Sequence, residues 1–257
     1  MLRPLAPNVF KRRLADRTTQ LGFWLSMNSL AATEIAAGIG YDWVLLDMEH
    51  SPYDLETVER HLLAARHGGD AEFVVRIPSI DPILVKRLLD AGVRSFMYPF
   101  VQNEAEAALA VAATRFPPDG IRGFSGNSRS SRYGMQAGYH PTAHEDICII
   151  LQVETPQAVA AIPEYCRHGG VDGILVGPND LAANMGRLGG TQHPEVLAKI
   201  DEARALTQAG GKAAGMLDFN LETCKKLLAE GFNFLAVGGD TASMSRYAKQ
   251  LLKDFGR

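Results

Sequence analysis

The chain has 257 residues, a net charge of −3, and 46% hydrophobic against 21% charged residues, an ordinary balance for a protein with a sizeable core. Lys and Arg are scattered without a basic stripe, which argues against a nucleic-acid partner, and no apolar run approaches the roughly 18 residues of a membrane span. The opening MLRPLAPNVFKRRLADR has no apolar signal core, and the three cysteines, Cys148, Cys166 and Cys224, are odd in number and far apart. Both features predict reduced thiols and a cytoplasmic protein.

Short β-rich apolar runs recur along the chain. They predict strands over Leu21–Ser26, Trp43–Asp47, Glu72–Ile77, Ser95–Pro99, Ile147–Val153, Gly173–Val176, Ala213–Leu217 and Asn233–Val237. Helical patterns follow them at Leu55–His67, Asp81–Ala91, Glu104–Thr114, Pro156–Cys166, Pro194–Ala209, Leu221–Glu230 and Ala242–Phe255. The pair Asp81-Pro82 reads as an N-cap followed by proline at the first helical position. Strands alternating with helices, with no linker-like break, predict one (β/α)8 barrel over residues 1–257. An open dinucleotide-binding sheet is the other arrangement considered, and it lacks a G-x-G-x-x-G after the first strand. The long segment 117–146, rich in Gly, Ser and Arg, is expected to be an active-site loop, with a flexible surface insertion as its plainer reading.

Barrel enzymes work at the C-terminal ends of their strands. Those ends carry Asp47-Met48-Glu49-His50, Arg76, Gln152 and Glu154, Gly177-Pro178-Asn179-Asp180, and Leu217-Asp218. Glu154 and Asp180 suit a hard divalent ion with open positions, although each could equally be a charge that starts a helix. Gln152 precedes Glu154 by two residues, so both face the barrel interior. His50 is either a general base tuned by Asp47 and Glu49 or an exposed loop histidine. Arg76 closes the apolar run FVVR, which calls for an anionic partner, whether a structural carboxylate or a developing oxyanion. The glycine pairs in GGVDGILVG and LAVGGD read as tight strand entries and exits more readily than as phosphate cradles, and Cys148 has no evident base.

The blocks YDWVLLDMEHSP, VVRIPSIDP with KRLLDAG, ATRFPPDGIRG, ILQVET and VDGILVGPNDLAANMG with HPEV occur in order between about Gly22 and Gly239. Together they resemble the HpcH/HpaI aldolases, a family of metal-dependent (class II) pyruvate aldolases. The resemblance implies a (β/α)8 barrel of the phosphoenolpyruvate/pyruvate type, assembled as a trimer of dimers that swap the C-terminal helix. It implies reversible cleavage of a 4-hydroxy-2-oxo acid, of the 2-keto-3-deoxy sugar acid or 4-hydroxy-2-oxoheptanedioate kind, into pyruvate and an aldehyde. It further implies that Glu154 and Asp180 hold Mg²⁺, Mn²⁺ or Co²⁺, and that Gln152, Gly177, Pro178, Asn179, Asp180 and Leu217 surround the substrate. His50 would be the base, Asp90 the carboxylate that raises its basicity, Arg76 the oxyanion stabiliser, and Asp47 an acid orienting water near the ion. Three positions depart from the family pattern: Met48 for a glycine, Asn179 for a small residue, and Asp218-Phe219 after the seventh strand. Met48 is expected to face the helix layer. Other readings of the same barrel are an acyl-CoA lyase of the citrate-lyase β-like branch and a non-catalytic scaffold.

Overall fold

Short strands apolar on both faces, each followed by a helix, pair in parallel and bury both sides. The computed structural model describes residues 6–257. Its strands are β1 (Gln20–Leu25), β2 (Trp43–Asp47), β3 (Glu72–Arg76), β4 (Ser95–Tyr98), β5 (Cys148–Val153), β6 (Gly173–Val176), β7 (Ala213–Leu217) and β8 (Phe234–Gly239). They pair in sequence order, and β8 returns to β1 to close the barrel. The strand-following helices are α2 (Leu30–Ile39), α3 (Leu55–Gly68), α4 (Pro82–Ala91), α5 (Glu104–Ala112), α7 (Pro156–Ala160) with α8 (Ile162–Arg167), α9 (Pro178–Asn184) with α10 (Pro194–Ala209), α11 (Leu221–Ala229) and α12 (Asp240–Asp254). Asp81 caps α4 as expected, its side chain accepting from Ile83 N with Pro82 in the first turn. No described helix is long and apolar enough to cross a membrane.

Strand parity divides the core in two. Trp24, Trp43, Leu45, Val74, Met97, Cys148, Ile150, Leu175, Phe234 and Ala236 point inward and pack together. Val44, Leu46, Met48, Val75, Leu151 and Val153 point outward and meet the helices, so Met48 takes the outward place expected of it. An N-terminal helix absent from the sequence reading, α1 (Val9–Ala15), plugs the lower end with Phe10 and Leu14. Phe10 packs 5.6 Å from the Trp43 ring and edge-on at 6.2 Å to Phe234. The same parity carries Asp47, Arg76, Gln152 and Glu154 inward at the top of the barrel.

Several expectations require correction. The helix α2 between β1 and β2 was not anticipated, because LAATEIAAGI is nearly apolar throughout and lacks a clear polar face. Pro156–Cys166 is two short helices broken at Ala161, where Pro163 enters the second. The segment 117–146 follows α5 rather than β4, so it lies on the face opposite the strand C-termini. There it forms a 3₁₀ turn at Arg129–Ser131, the short helix α6 (Tyr139–Thr142) and a further turn. It roofs a hollow of about 480 Å³ lined by residues such as Arg66, Arg94, Tyr133 and Tyr139, away from the C-terminal ends of the strands.

Gly22 shows how tightly the interior is filled: a Cβ there would stand 2.1 Å from the Trp43 ring. Neither the indole nor the strand has room to yield. Gly22→Ala is expected to destabilise the fold by about 3 kcal/mol, lowering the urea midpoint at constant m. A shift under about 0.5 kcal/mol would mean that Trp43 repacks freely.

Candidate active site at the barrel rim

Asp47 and Arg76 are neighbours in the β2–β3 ladder and both face inward. Arg76 Nε donates to Asp47 Oδ1 at 2.9 Å and Nη2 donates to Oδ2 at 2.6 Å, a bidentate pair in which both residues are buried. Trp24 on β1 donates its indole N–H to Asp47 Oδ2 at 3.2 Å, and the guanidinium lies 4.8 Å from the Trp24 ring centre. The backbone N–H groups of Glu49 and His50 also turn onto Asp47 Oδ1. Burial pushes the Asp47 carboxyl up, but Arg76, Trp24 and the His50 amide outweigh it and hold it below the usual range. Asp47 is therefore an ionised anchor that fixes both Arg76 and the turn carrying His50.

Glu49 also faces the guanidinium. Its Oε2 is 3.0 Å from Arg76 Nη1, oriented as an ion pair without a hydrogen bond, and 3.8 Å from His50 Nε2. Burial raises the Glu49 carboxyl, Arg76 and His50 oppose that rise, and Asp47 and Asp180 add to it. On sequence alone Glu49 has only a supporting part beside His50; the geometry makes it the second acid holding Arg76. The His50 side chain is 64% exposed, so it can meet a solute.

On the other side of the rim, Glu154 follows β5 and is 2% exposed. Its Oε2 accepts from Phe100 N at 2.7 Å and its Oε1 from Gln152 Nε2 at 2.8 Å. Phe100 holds a left-handed φ of 51° to aim that N–H, a donor with no sequence signature. Burial raises the Glu154 carboxyl to about 7; the Phe100 amide opposes this, while the charges of Asp180 and Glu49 reinforce it. Gly177, after β6, is the residue that leaves room: a Cβ there would meet Glu154 Cγ and Oε1 at 2.7 Å and Gln152 Nε2 at 2.9 Å. Asp180 sits in the first turn of α9, exposed toward the same side.

Arg76, His50, Gln152, Gly177, Pro178, Asn179, Asp180 and Leu217 thus line one cleft of about 200 Å³. Phe219, marked in the sequence as a departure from the family pattern, and Gly239 of the LAVGGD pair also line it, and Trp24, Ser26 and Thr241, which the sequence did not single out, complete it. Asp90 is not among them. It ends α4 at the opposite pole of the barrel and receives a hydrogen bond of 3.1 Å from the buried Arg122.

The donor set suits a hard divalent cation. Glu154 and Asp180 supply carboxylate oxygens, the buried Gln152 Oε1 has no donor among the described residues, and Glu154 lies in a surplus of negative charge that a cation would relieve. Among the described residues no three His, Cys, Asp or Glu side chains converge as a closed cage, so a pair of carboxylates leaves positions open for a chelating substrate.

The profile of the HpcH/HpaI aldolase/citrate lyase family matches residues 20–246, and the chain belongs to that family. It is similar over 251 residues, at 42% identity and 98% of both chains, to a pyruvate aldolase of Rhizobium etli. It is 40% identical over 248 residues to the 5-keto-4-deoxy-D-glucarate aldolase of Escherichia coli K12, covering 96% of each chain. A Burkholderia cenocepacia member of the HpcH/HpaI aldolase/citrate lyase family superposes with a TM-score of 0.94 at 37% identity, over 97% of this chain and all (100%) of that one.

A carboxyl raised by folding favours the protonated state, so its contribution is full below about 4.5 and is lost as pH rises through about 7. In EDTA, the wild type is therefore expected to lose on the order of 3 kcal/mol relative to Glu154→Gln between pH 4.5 and 8. Millimolar Mg²⁺ or Mn²⁺ at pH 8 should restore the wild type alone. Parallel pH–stability curves for the two proteins would contradict the assignment of Glu154.

Proposed function

We propose that this protein is a divalent-metal-dependent aldolase that reversibly cleaves a 4-hydroxy-2-oxo acid into pyruvate and an aldehyde. The observation that carries the reading is one strand-end cleft lined by Asp180 and by a guanidinium held in place by two acids, with the buried Glu154, in negative surplus, bound to Gln152 of its wall. Membership of an aldolase family and the relatives' names support the same reading.

A hard ion such as Mg²⁺, Mn²⁺ or Co²⁺, held by Glu154 and Asp180, would supply Lewis-acid polarisation of the keto group. Gln152 and the Gly177–Pro178–Asn179 turn hold the oxo-acid end, with Leu217 against its carbon chain. His50, directly or through a water, removes the proton of the C4 hydroxyl. The C4 oxygen then becomes the aldehyde carbonyl as the C3–C4 bond breaks. The bonding pair moves into C2–C3, and negative charge passes to the keto oxygen. Arg76 faces that charge with Nη1, which makes no hydrogen bond among the described residues. A proton returned to C3 gives the methyl group of pyruvate. Arg76 needs no reorganisation to do this, since Asp47, Glu49 and Trp24 already fix it.

The C-terminal helix supports a homo-oligomer. Only Asp240 of α12 is buried, while Met244, Tyr247, Leu251, Leu252 and Phe255 are exposed. A helix with an apolar face in water calls for a partner surface, and a second copy that exchanges α12 supplies one, with three such dimers forming the whole assembly. Asp90 then acts on His50 only as a contact between copies, because within one chain it is bound to Arg122. Free Cys148, Cys166 and Cys224 fit a cytoplasmic enzyme acting on small molecules rather than on nucleic acid or membrane.

Removing the metal with EDTA is expected to abolish pyruvate release from 2-keto-3-deoxy sugar acids, with recovery on adding Mn²⁺. Arg76→Ala should lower both cleavage and pyruvate methyl-proton exchange by ~10²–10³-fold, and His50→Ala should lower cleavage ~10²–10⁴-fold while Mn²⁺ binding, followed by electron paramagnetic resonance, is kept. Full turnover in dialysed, chelated enzyme would sink the metal mechanism. The double variant Tyr247→Asp/Leu251→Asp is expected to sediment as a smaller species; an unchanged mass would exclude α12 from the interface.

A further inference from the structure

The cleft has two halves with different chemistry. One lies over β2, β3, β5 and β6 and holds His50, Arg76, Gln152, Gly177 and Asp180 beside Glu154. The other lies over β7, β8 and β1 and is made by Leu217, Phe219, Gly239, Thr241 and Ser26. An oxo acid anchored at the first half directs C4 and everything beyond it across the second. That half is where the acceptor aldehyde is chosen.

Its walls are apolar at Leu217 and Phe219 and carry neutral hydrogen-bonding groups elsewhere. Ser26 and Thr241 line this half, and neither hydroxyl makes a hydrogen bond among the described residues. Beneath them lies Asp240, 8% exposed. Its carboxylate accepts from Ser26 N at 3.0 and 3.1 Å, from Met27 N at 3.0 Å and from Thr241 N at 2.7 Å. Asp240 thereby sets the two hydroxyl-bearing residues side by side and is the fixed charge of this half. The cationic group of the cleft, Arg76, belongs to the other half and is already held by Asp47 and Glu49.

An anionic tail entering here would give up water next to a buried carboxylate, with no cation to compensate. Hydroxyl groups would instead find partners in Ser26 and Thr241, whose own hydroxyls have none among the described residues. We infer that the acceptor is a short, uncharged hydroxyaldehyde, so that the substrate is a 2-keto-3-deoxy sugar acid with a single carboxylate. This rests on the aldolase reading and sharpens it. It parts from the dicarboxylic substrate in the name of the glucarate relative.

The test uses the full-length, metal-loaded enzyme and two readouts. Methyl-proton exchange of pyruvate in D₂O checks the aldolase reading by itself. Aldol addition of pyruvate to glycolaldehyde, D- and L-glyceraldehyde, propanal and succinic semialdehyde then reports the acceptor preference. Hydroxyaldehydes are expected to exceed succinic semialdehyde in kcat/KM by more than about tenfold. In Ser26→Ala and Thr241→Val, each rate normalised to that variant's own proton exchange, the preference for glyceraldehyde over propanal should fall about fivefold, the worth of one neutral hydrogen bond. Succinic semialdehyde used as well as or better than glyceraldehyde would overturn the inference while leaving the aldolase standing. So would a glyceraldehyde preference unmoved in both variants. Absence of proton exchange would remove the aldolase reading and the acceptor inference together.

Discussion

Arg76 is a cation withdrawn from water at the top of a closed barrel, and a buried guanidinium persists only where anions and hydrogen-bond acceptors surround it. Asp47 grips it through two parallel hydrogen bonds, Glu49 faces its remaining nitrogen, and the Trp24 ring lies alongside. Asp47 is tied in turn to the indole and to the amides of Glu49 and His50. One charge thus orders residues from three strands, β1, β2 and β3, and sets the turn that presents His50. Most of the rim's geometry follows from satisfying it.

The opposite side of the cleft is built on the reverse condition. Glu154 is a buried anion whose neighbours Asp180 and Glu49 are also acidic, and the Phe100 and Gln152 N–H groups only partly offset that repulsion. Gly177 keeps the space beside it free. The cleft of about 200 Å³ thus has a cation balanced by two acids in its wall, Arg76, and an acid, Asp180, whose charge adds to that of the buried Glu154. At the other end of the cleft Asp240 accepts from the backbone N–H groups of Ser26, Met27 and Thr241 and sets the two hydroxyl-bearing residues side by side.

Strand parity made much of this legible before any coordinates. Asp47, Arg76, Gln152 and Glu154 follow apolar residues at even spacing from the core-facing positions of their strands, so their inward direction is a local property. Met48, at odd spacing, falls outward for the same reason. The segment 117–146 was misplaced because its composition does suggest a functional loop, while its face of the barrel depends on whether it follows a strand or a helix. Asp90 was legible as part of a motif, but its partner within the chain is Arg122, 32 residues away.

By itself the sequence determined the alternation of strand and helix, the closed parallel architecture and the polar residues released at the strand ends, since these depend on spacing along the chain. The tertiary structure alone decided which of those residues meet. Trp24 reaches Asp47 only because β1 pairs with β2, Phe100 reaches Glu154 only because β4 and β5 are neighbours, and Ser26 stands beside Thr241 only because the barrel closes with β8 on β1. Glu49 gained its place beside Arg76 by the same means. Such contacts follow from closure and register, which the period of a single strand does not encode.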